Sequence, residues 1–438
     1  MASGLARDGF WTALDQVLVS GTNFAAGILL ARLCAPEEYG AFAVGFMTLM
    51  LLAGVQRAVI TDPLAVLGPG RDESELKRYV RSLSQAQAWQ ALVLAGATGL
   101  AAAAVWLAGG PEVTSQALFG TAVAGFFVLG QDYRRRVLFT KLLPQRVLWI
   151  DALFCSLYLG GLVVLWRWGA AGGAADEYLS ARNTLLAMAV AAAAASALGS
   201  SLIRAHQAAD APVERRFWRE NWQFGRWLLG DFLGFSLMVQ GGIFAVAAMT
   251  GNAQAAVFES ARLVVGPLQI LMTGGHAFLM PWAATRLAEG GGEGLTRALR
   301  PVVLVWTLAF VGYPLLVALT PQLWLGLFYG GRYDSAASAL VLWAGVYAAL
   351  GLSQLPWIVV QVLRRPDLAM AVNLSVGAMG LLLMIALTQS LGVEGAVAGR
   401  LCGETLHLLV GLGLAWRLLR READQPAATA LRAAEGSI

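Results

Sequence analysis

Twelve stretches of roughly 20 predominantly apolar residues recur along this chain, at 14–33, 41–61, 86–108, 115–131, 147–166, 183–203, 227–249, 253–280, 301–319, 335–357, 368–388 and 393–416. In hydrocarbon such a run has one workable form. Lipid offers no partner for backbone N–H and C=O groups, so each crossing must be a helix whose hydrogen bonds close within itself. The period-two pattern of a membrane barrel is absent, and the expected class is all-α. A large soluble core is excluded by composition. Hydrophobic residues make up 58% of the chain, charged residues 13%, and the mean hydropathy is +0.64, whereas soluble domains carry about a quarter charged residues.

The charges alternate with the spans. Connections that bear Arg71, Lys77, Arg78 and Arg81, then Arg134, Arg135, Arg136, Lys141 and Arg146, then Arg204, Arg215, Arg216, Arg219 and Arg226, fall on one side. Arg286, Arg297 and Arg300, then Arg364 and Arg365, then Arg417, Arg420, Arg421 and Arg432 continue the series on that side. The opposite connections hold only Arg167, Arg182 and Arg332, with Arg32 at a helix end. The positive-inside rule puts both termini and the basic connections in the cytoplasm, as in a multi-pass protein of the bacterial inner membrane. Because the charge is divided among short connections, a nucleic-acid groove is not expected. The same cations can meet anionic membrane lipids, although topology alone accounts for them.

The chain also repeats itself. Trp11-Thr-Ala-Leu-Asp15 opens one half and Trp227-Leu-Leu-Gly-Asp231 the other, while Pro144–Asp151 has a looser echo in Pro366–Asn373. The expected organisation is a six-helix lobe at 1–203, a polar cytoplasmic linker at 204–226, a second six-helix lobe at 227–421 and a tail at 422–438. Six crossings is an even number, so the two repeats are parallel, and a cleft between two such lobes is where a transporter works.

Enzyme chemistry is not expected. Cys34, Cys155 and Cys402 are too few and scattered for a disulfide framework or a metal site, and His206, His276 and His407 lie far apart. There is no phosphate-binding Gly-rich loop with Lys and no nucleophile arrangement. Short outer connections argue against a membrane-embedded glycan polymerase or ligase. The first apolar run leads into Arg32 and Glu37-Glu38 without a small-residue cleavage pattern, so it is expected to stay as a helix.

Candidate functional residues are those that cost most to insert, because an ionisable side chain at mid-bilayer must face protein or water. Glu259 and Arg262 share one face at i, i+3, and Arg400 and Glu404 pair at i, i+4 with His407 three residues on. Arg57 and Asp62 lie near the inner end of the second span, and Arg57 has the reach to snorkel. Asp15, Asp151 and Asp231 lie near inner helix ends and suit an interfacial or helix-start role. Arg57, Arg262 and Arg400 are the candidate substrate contacts; Glu259, Glu404 and Asp15 are candidates for tuning them or carrying a coupling H+ or Na+.

The junction Leu30-Leu-Ala-Arg-Leu-Cys-Ala-Pro-Glu-Glu-Tyr-Gly-Ala-Phe-Ala43 and the element Leu327-Phe-Tyr-Gly-Gly-Arg-Tyr-Asp-Ser-Ala-Ala-Ser-Ala-Leu340 resemble the polysaccharide export (Wzx-type flippase) family. That family belongs to the multidrug/oligosaccharidyl-lipid/polysaccharide (MOP) exporter superfamily. The resemblance implies two six-helix lobes arranged as a V around a central cavity, alternating access, and passage of an undecaprenyl-pyrophosphate-linked oligosaccharide for O-antigen, capsule or exopolysaccharide synthesis. Its partners would be that lipid-linked substrate and the polysaccharide assembly machinery, met by a monomer. Arginines suit a pyrophosphate because their fork donates parallel hydrogen bonds. The rival is a multidrug and toxin extrusion-like antiporter, which shares the architecture and trades a cation for its cargo; the Pro-Glu-Glu-Tyr-Gly junction favours the glycan branch.

Overall fold

The computed structural model describes residues 2–172, 178–207, 212–363 and 365–423. The centre of the expected linker (208–211), Arg364 and the tail beyond 423 with Arg432 lie outside the described residues. Every regular element described is helical: α1 (Ala2–Leu33), α2 (Pro36–Gln56), α3 (Asp62–Leu67), α4 (Glu73–Leu107), α5 (Glu112–Thr140), α6 (Pro144–Gly172), α7 (Ala181–Ile203), α8 (Arg215–Thr250), α9 (Asn252–Val265), α10 (Pro267–Leu319), α11 (Pro321–Tyr329), α12 (Ala337–Val362) and α13 (Pro366–Ala423). Prolines open α2, α6, α10, α11 and α13, where the missing N–H would have had no intrahelical partner anyway.

Ten helices among the described residues are long and apolar enough to cross a membrane. Two of them are too long for a single passage. With 53 and 58 residues, α10 and α13 would each extend about 80 Å or more, against a hydrocarbon core of about 30 Å. Each is broken at a glycine in left-handed backbone, Gly291 (φ 58°) and Gly392 (φ 59°), which a side chain would strain. The broken pair therefore brings ten helices to twelve crossings, and the chain is an all-α multi-pass membrane protein. The eighth crossing is itself jointed, since Pro267 separates α9 from α10 inside the expected 253–280 span.

Some expected connections are helical. Arg286, Arg297 and Arg300 lie within α10, and the outer stretch 320–334 contains α11. Arg134, Arg135 and Arg136, read above as connection arginines, lie within α5.

The described residues of Met1–Ser236 and Val246–Ser260 form one compact unit, and those of Leu237–Ala245 and Ala261–Ile438 a second. In the first unit α5 is the hub, packed against α2, α4 and α7. In the second the hub is α12, packed against α10 and α13. Each hub is the fourth crossing of its half.

Within the first unit, the α1–α2 junction is a packing device. Glu38 accepts the backbone N–H of Ala181 at 2.6 Å, satisfying one of the open donors at the start of α7. Tyr39 is fully buried. A Cβ on Gly40 would stand 1.8 Å from the carbonyl oxygen of Asn252, so only glycine allows that approach.

At its other end α2 widens into one π turn, Arg57–Thr61, closed by Asp62 N–H donating to the Arg57 carbonyl. Pro63 supplies the reason. It has no N–H for the Val59 carbonyl and its ring crowds that oxygen. The side-chain amide of Asn221, on α8, donates instead to the carbonyls of Ile60 (3.1 Å) and Val59 (3.4 Å). Asn221 is held in turn by the buried Tyr79 hydroxyl, which donates to its Oδ1. Alongside, Arg71 stacks over Tyr79 (4.2 Å) and Phe217 (4.9 Å) while bonding Glu75 (2.7 Å) and Glu220 (2.5 Å). Burial works against the Arg71 charge, but Glu220 and then Glu75 outweigh it and hold the pKa above its ordinary value. Residues 215–226 thus form the first turns of α8 and dock firmly on α4.

Candidate functional site

The first unit holds a cluster of charge where α1, α5 and α6 meet. Arg135 of α5 reaches Asp151 on α6 (Nε to Oδ2, 2.6 Å), Asp15 on α1 (Nη2 to Oδ2, 3.1 Å) and Asp132 one turn back on α5 (Nη1 to Oδ1, 3.7 Å). Gln131 donates to the other Asp151 oxygen at 3.1 Å. The Asp15 and Asp151 side chains are 3% and 2% exposed, against 21% for Arg135, so the guanidinium is the more solvated partner. The two aspartates also act on one another directly, and Asp15 Oδ1 has no hydrogen-bond partner. Fully ionised, three carboxylates against one guanidinium leave two negative charges in a largely dry place. That excess is expensive, since each uncompensated buried ion costs several kcal/mol.

This corrects the helix-start reading of Asp15 and Asp151. Asp15 is the fourteenth residue of α1 and Asp151 the eighth of α6, so neither lies in a first turn. Asp231, the repeat counterpart of Asp15, lies well inside α8 and is only half-buried. Beside the cluster, the charges that act on Asp62 are those of Arg136, Arg57 and Asp132. Arg57 itself is half-buried on the π turn. Arg135 and Asp132 were not among the candidates read from the sequence. Their i, i+3 spacing at the end of an apolar run was the available signal.

The second unit holds a smaller, drier site. Arg400 and Glu404, one turn apart on the last limb of α13, bond at 2.7 Å (Nη2 to Oε1), with side chains 4% and 0% exposed. Nε and Nη1 of Arg400 and Oε2 of Glu404 have no hydrogen-bond partner. Arg262 and Tyr347 are the further groups whose charge reaches Arg400. His407 continues the same helix face, with Nε2 3.0 Å from Asn373 Oδ1 and its ring stacked on Trp357 at 4.8 Å. The α9 pair is divided between the units: Glu259, in the first, is buried, and Arg262, in the second, is half-buried. Among the described residues, no three His, Cys, Asp or Glu side chains are placed to hold a metal ion.

No family model matches the sequence, and no curated protein matches it. Solved structures do match. The chain is similar to a multidrug resistance MATE family transporter of the MOP superfamily in an inward-facing conformation, with 15% identity, 94% of this chain and 96% of that one covered, and a TM-score of 0.74. The fold is that of the MOP-superfamily transporters. An outward-facing structure of a MATE family transporter aligns at 13% identity over 96% of each chain, with a TM-score of 0.63. A third match is a MOP superfamily transporter from Pyrococcus furiosus, at 15% identity over 95% of each chain and a TM-score of 0.63. In that transporter the reverse polarity of the binding pocket suggests a different function. The α1–α2 junction that carries the polysaccharide-export resemblance is used here for packing, through Glu38, Tyr39 and Gly40, and so speaks to fold.

Proposed function

We propose that the chain is a secondary transporter of the multidrug and toxin extrusion type, exporting a cationic or amphipathic cargo in exchange for a proton. The observation that carries this reading is Arg135 among Asp15, Asp132 and Asp151. The cluster has more carboxylates than its guanidinium can neutralise, and a proton removes one of the surplus charges at small steric cost. Arg135 occupies the middle of the cluster, which favours H+ over Na+ as the coupling ion. Asp15 and Asp151, which touch each other as well as Arg135, are the pair between which the proton is shared. The likeness to multidrug transporters supports this reading better than it supports glycan export.

The test is efflux of a cationic dye from proteoliposomes under an imposed proton gradient. Wild type should move dye, and Asp15→Asn with Asp151→Asn should uncouple movement from the gradient while the protein remains folded. Dye retention by the wild type under both proton and sodium gradients would overturn the reading.

A second reading is favoured by Arg400, whose Nε and Nη1 are unbonded and which has Arg262 nearby. On it, Arg262 and Arg400 in the second unit receive the anionic pyrophosphate of a lipid-linked oligosaccharide, Glu404 tunes them, and the chain is a flippase for surface polysaccharide synthesis. Arg262→Gln and Arg262→Ala should then stop flipping of a lipid-linked oligosaccharide in liposomes and leave dye transport unchanged. Flipping at the wild-type rate in both variants would remove this reading.

A further inference from the structure

The two limbs of α10, on either side of Gly291, leave an apolar crevice of about 360 Å³ between them. Ligand sites run from about 300 to 1,000 Å³, so the space is large enough to hold part of a molecule. Gly275 and Phe278 line it from the first limb, and Pro301, Val305 and Trp306 from the second. Its walls are fixed. The Trp306 indole N–H donates to the Gly351 carbonyl at 2.8 Å, and the ring packs on Phe310 at 4.7 Å, so it is not free to swing in and fill the gap. Gly275 lets the edge of that ring lie over the first limb, because a Cβ there would stand 2.3 Å from Trp306 Cη2. Phe278 and Val305 are 66% and 67% exposed, so the crevice opens sideways. Both limbs are apolar spans at this level, and no charged side chain lines the crevice to hold a cationic cargo.

Charge at one end of the crevice adds an independent observation. Arg297, Pro301 and Val305 stand at i, i+4 and i+8, so a single helix stripe runs from a guanidinium into the crevice. Arg300 directly precedes Pro301. Both arginines are exposed, and neither has an ion-pair partner among the described residues. Glu289, on the same tip, is bonded to Arg286 at 2.8 Å instead. Helical side chains lean toward the N-terminus, which carries the two guanidinium groups toward Gly291 and away from the apolar level. A molecule with an apolar tail and an anionic head matches both parts of this surface.

We propose that the crevice binds an anionic phospholipid, with one acyl chain between the limbs of α10 and the phosphate on Arg297 and Arg300. The lipid is a resident of the second unit and is not carried across. The site is independent of which cargo the transporter moves.

The experiment is photolabelling of the full chain in liposomes by phosphatidylglycerol or phosphatidylcholine with a diazirine in one acyl chain, the labelled peptides being mapped by mass spectrometry. Phosphatidylglycerol should label 275–306 in excess of Leu92, Val93 and Leu100, exposed apolar residues of α4 that serve as the reference for ordinary lipid contact. Val305→Trp fills the crevice from an exposed position that the fold does not depend on, and it should remove the excess. R297Q and R300Q should each lower the preference for phosphatidylglycerol over phosphatidylcholine about fivefold. Equal labelling of α4 and the crevice, or an unchanged excess in V305W, would overturn the site. Equal labelling by the two lipids in wild type would overturn the head-group assignment. Loss of the excess on adding a cationic dye would make the crevice a cargo site and overturn the lipid reading.

Discussion

The two compact units share a packing plan built on a fourth-crossing hub, yet they handle buried charge in opposite ways. The first gathers three carboxylates around Arg135 and leaves that guanidinium 21% exposed. The second pairs Arg400 with Glu404 alone and seals both. A charge excess with some access to water is suited to exchanging a cation, whereas a neutral sealed pair is suited to holding helices in register.

The comparison is most easily broken at the sealed pair. Arg400→Ala should destabilise the protein by about 3–5 kcal/mol in thermal or denaturant unfolding, because Glu404 is left as an uncompensated buried charge. Replacing both partners with Met should recover most of that loss. If the double variant unfolds like wild type but no longer transports, the pair is functional and the contrast fails. The open cluster should respond less. Arg135→Gln is expected to cost about 1–2 kcal/mol, discounted for its solvation, since protonation can relieve the three carboxylates. A loss as large as that of Arg400→Ala would mean that the first unit is as rigidly paired as the second.

The smallest effect is expected outside both clusters, at Asp72. Its carboxylate accepts the Glu75 N–H at 2.8 Å and caps α4. That bond, and then the Ser74 hydroxyl, hold its pKa below the ordinary carboxylate value. A depressed folded-state pKa contributes stability above the unfolded value and loses it as pH falls through the folded one. Asp72→Ala should therefore unfold slightly earlier at neutral pH, and the difference should close below about pH 4. A difference independent of pH would remove the carboxylate from the explanation.

The crossings were legible in the sequence because lipid makes a demand that no tertiary contact can override. The Arg400–Glu404 bond was legible for a related reason: partners one turn apart on a helix meet wherever that helix is placed. The Arg135 cluster was not. Asp15 lies 120 positions from Arg135, and only packing of α1 and α6 against α5 brings the carboxylates together. Depth along a helix says nothing of burial, which for Asp15 and Asp151 depends on which face a neighbouring helix covers. Of the whole cluster, Asp132 alone stood at a spacing that pointed to Arg135.

The π turn at Arg57–Thr61 carries an implication for the order in which the molecule can be made. Synthesis delivers Pro63 to the bilayer long before Asn221, whose amide serves the carbonyls of Val59 and Ile60. Until the ribosome has passed the sixth crossing and begun α8, those two oxygens wait at the membrane without the donor that ends up serving them. The first six helices inserted by themselves would be an unfinished object, completed only when the opening turns of the second half arrive.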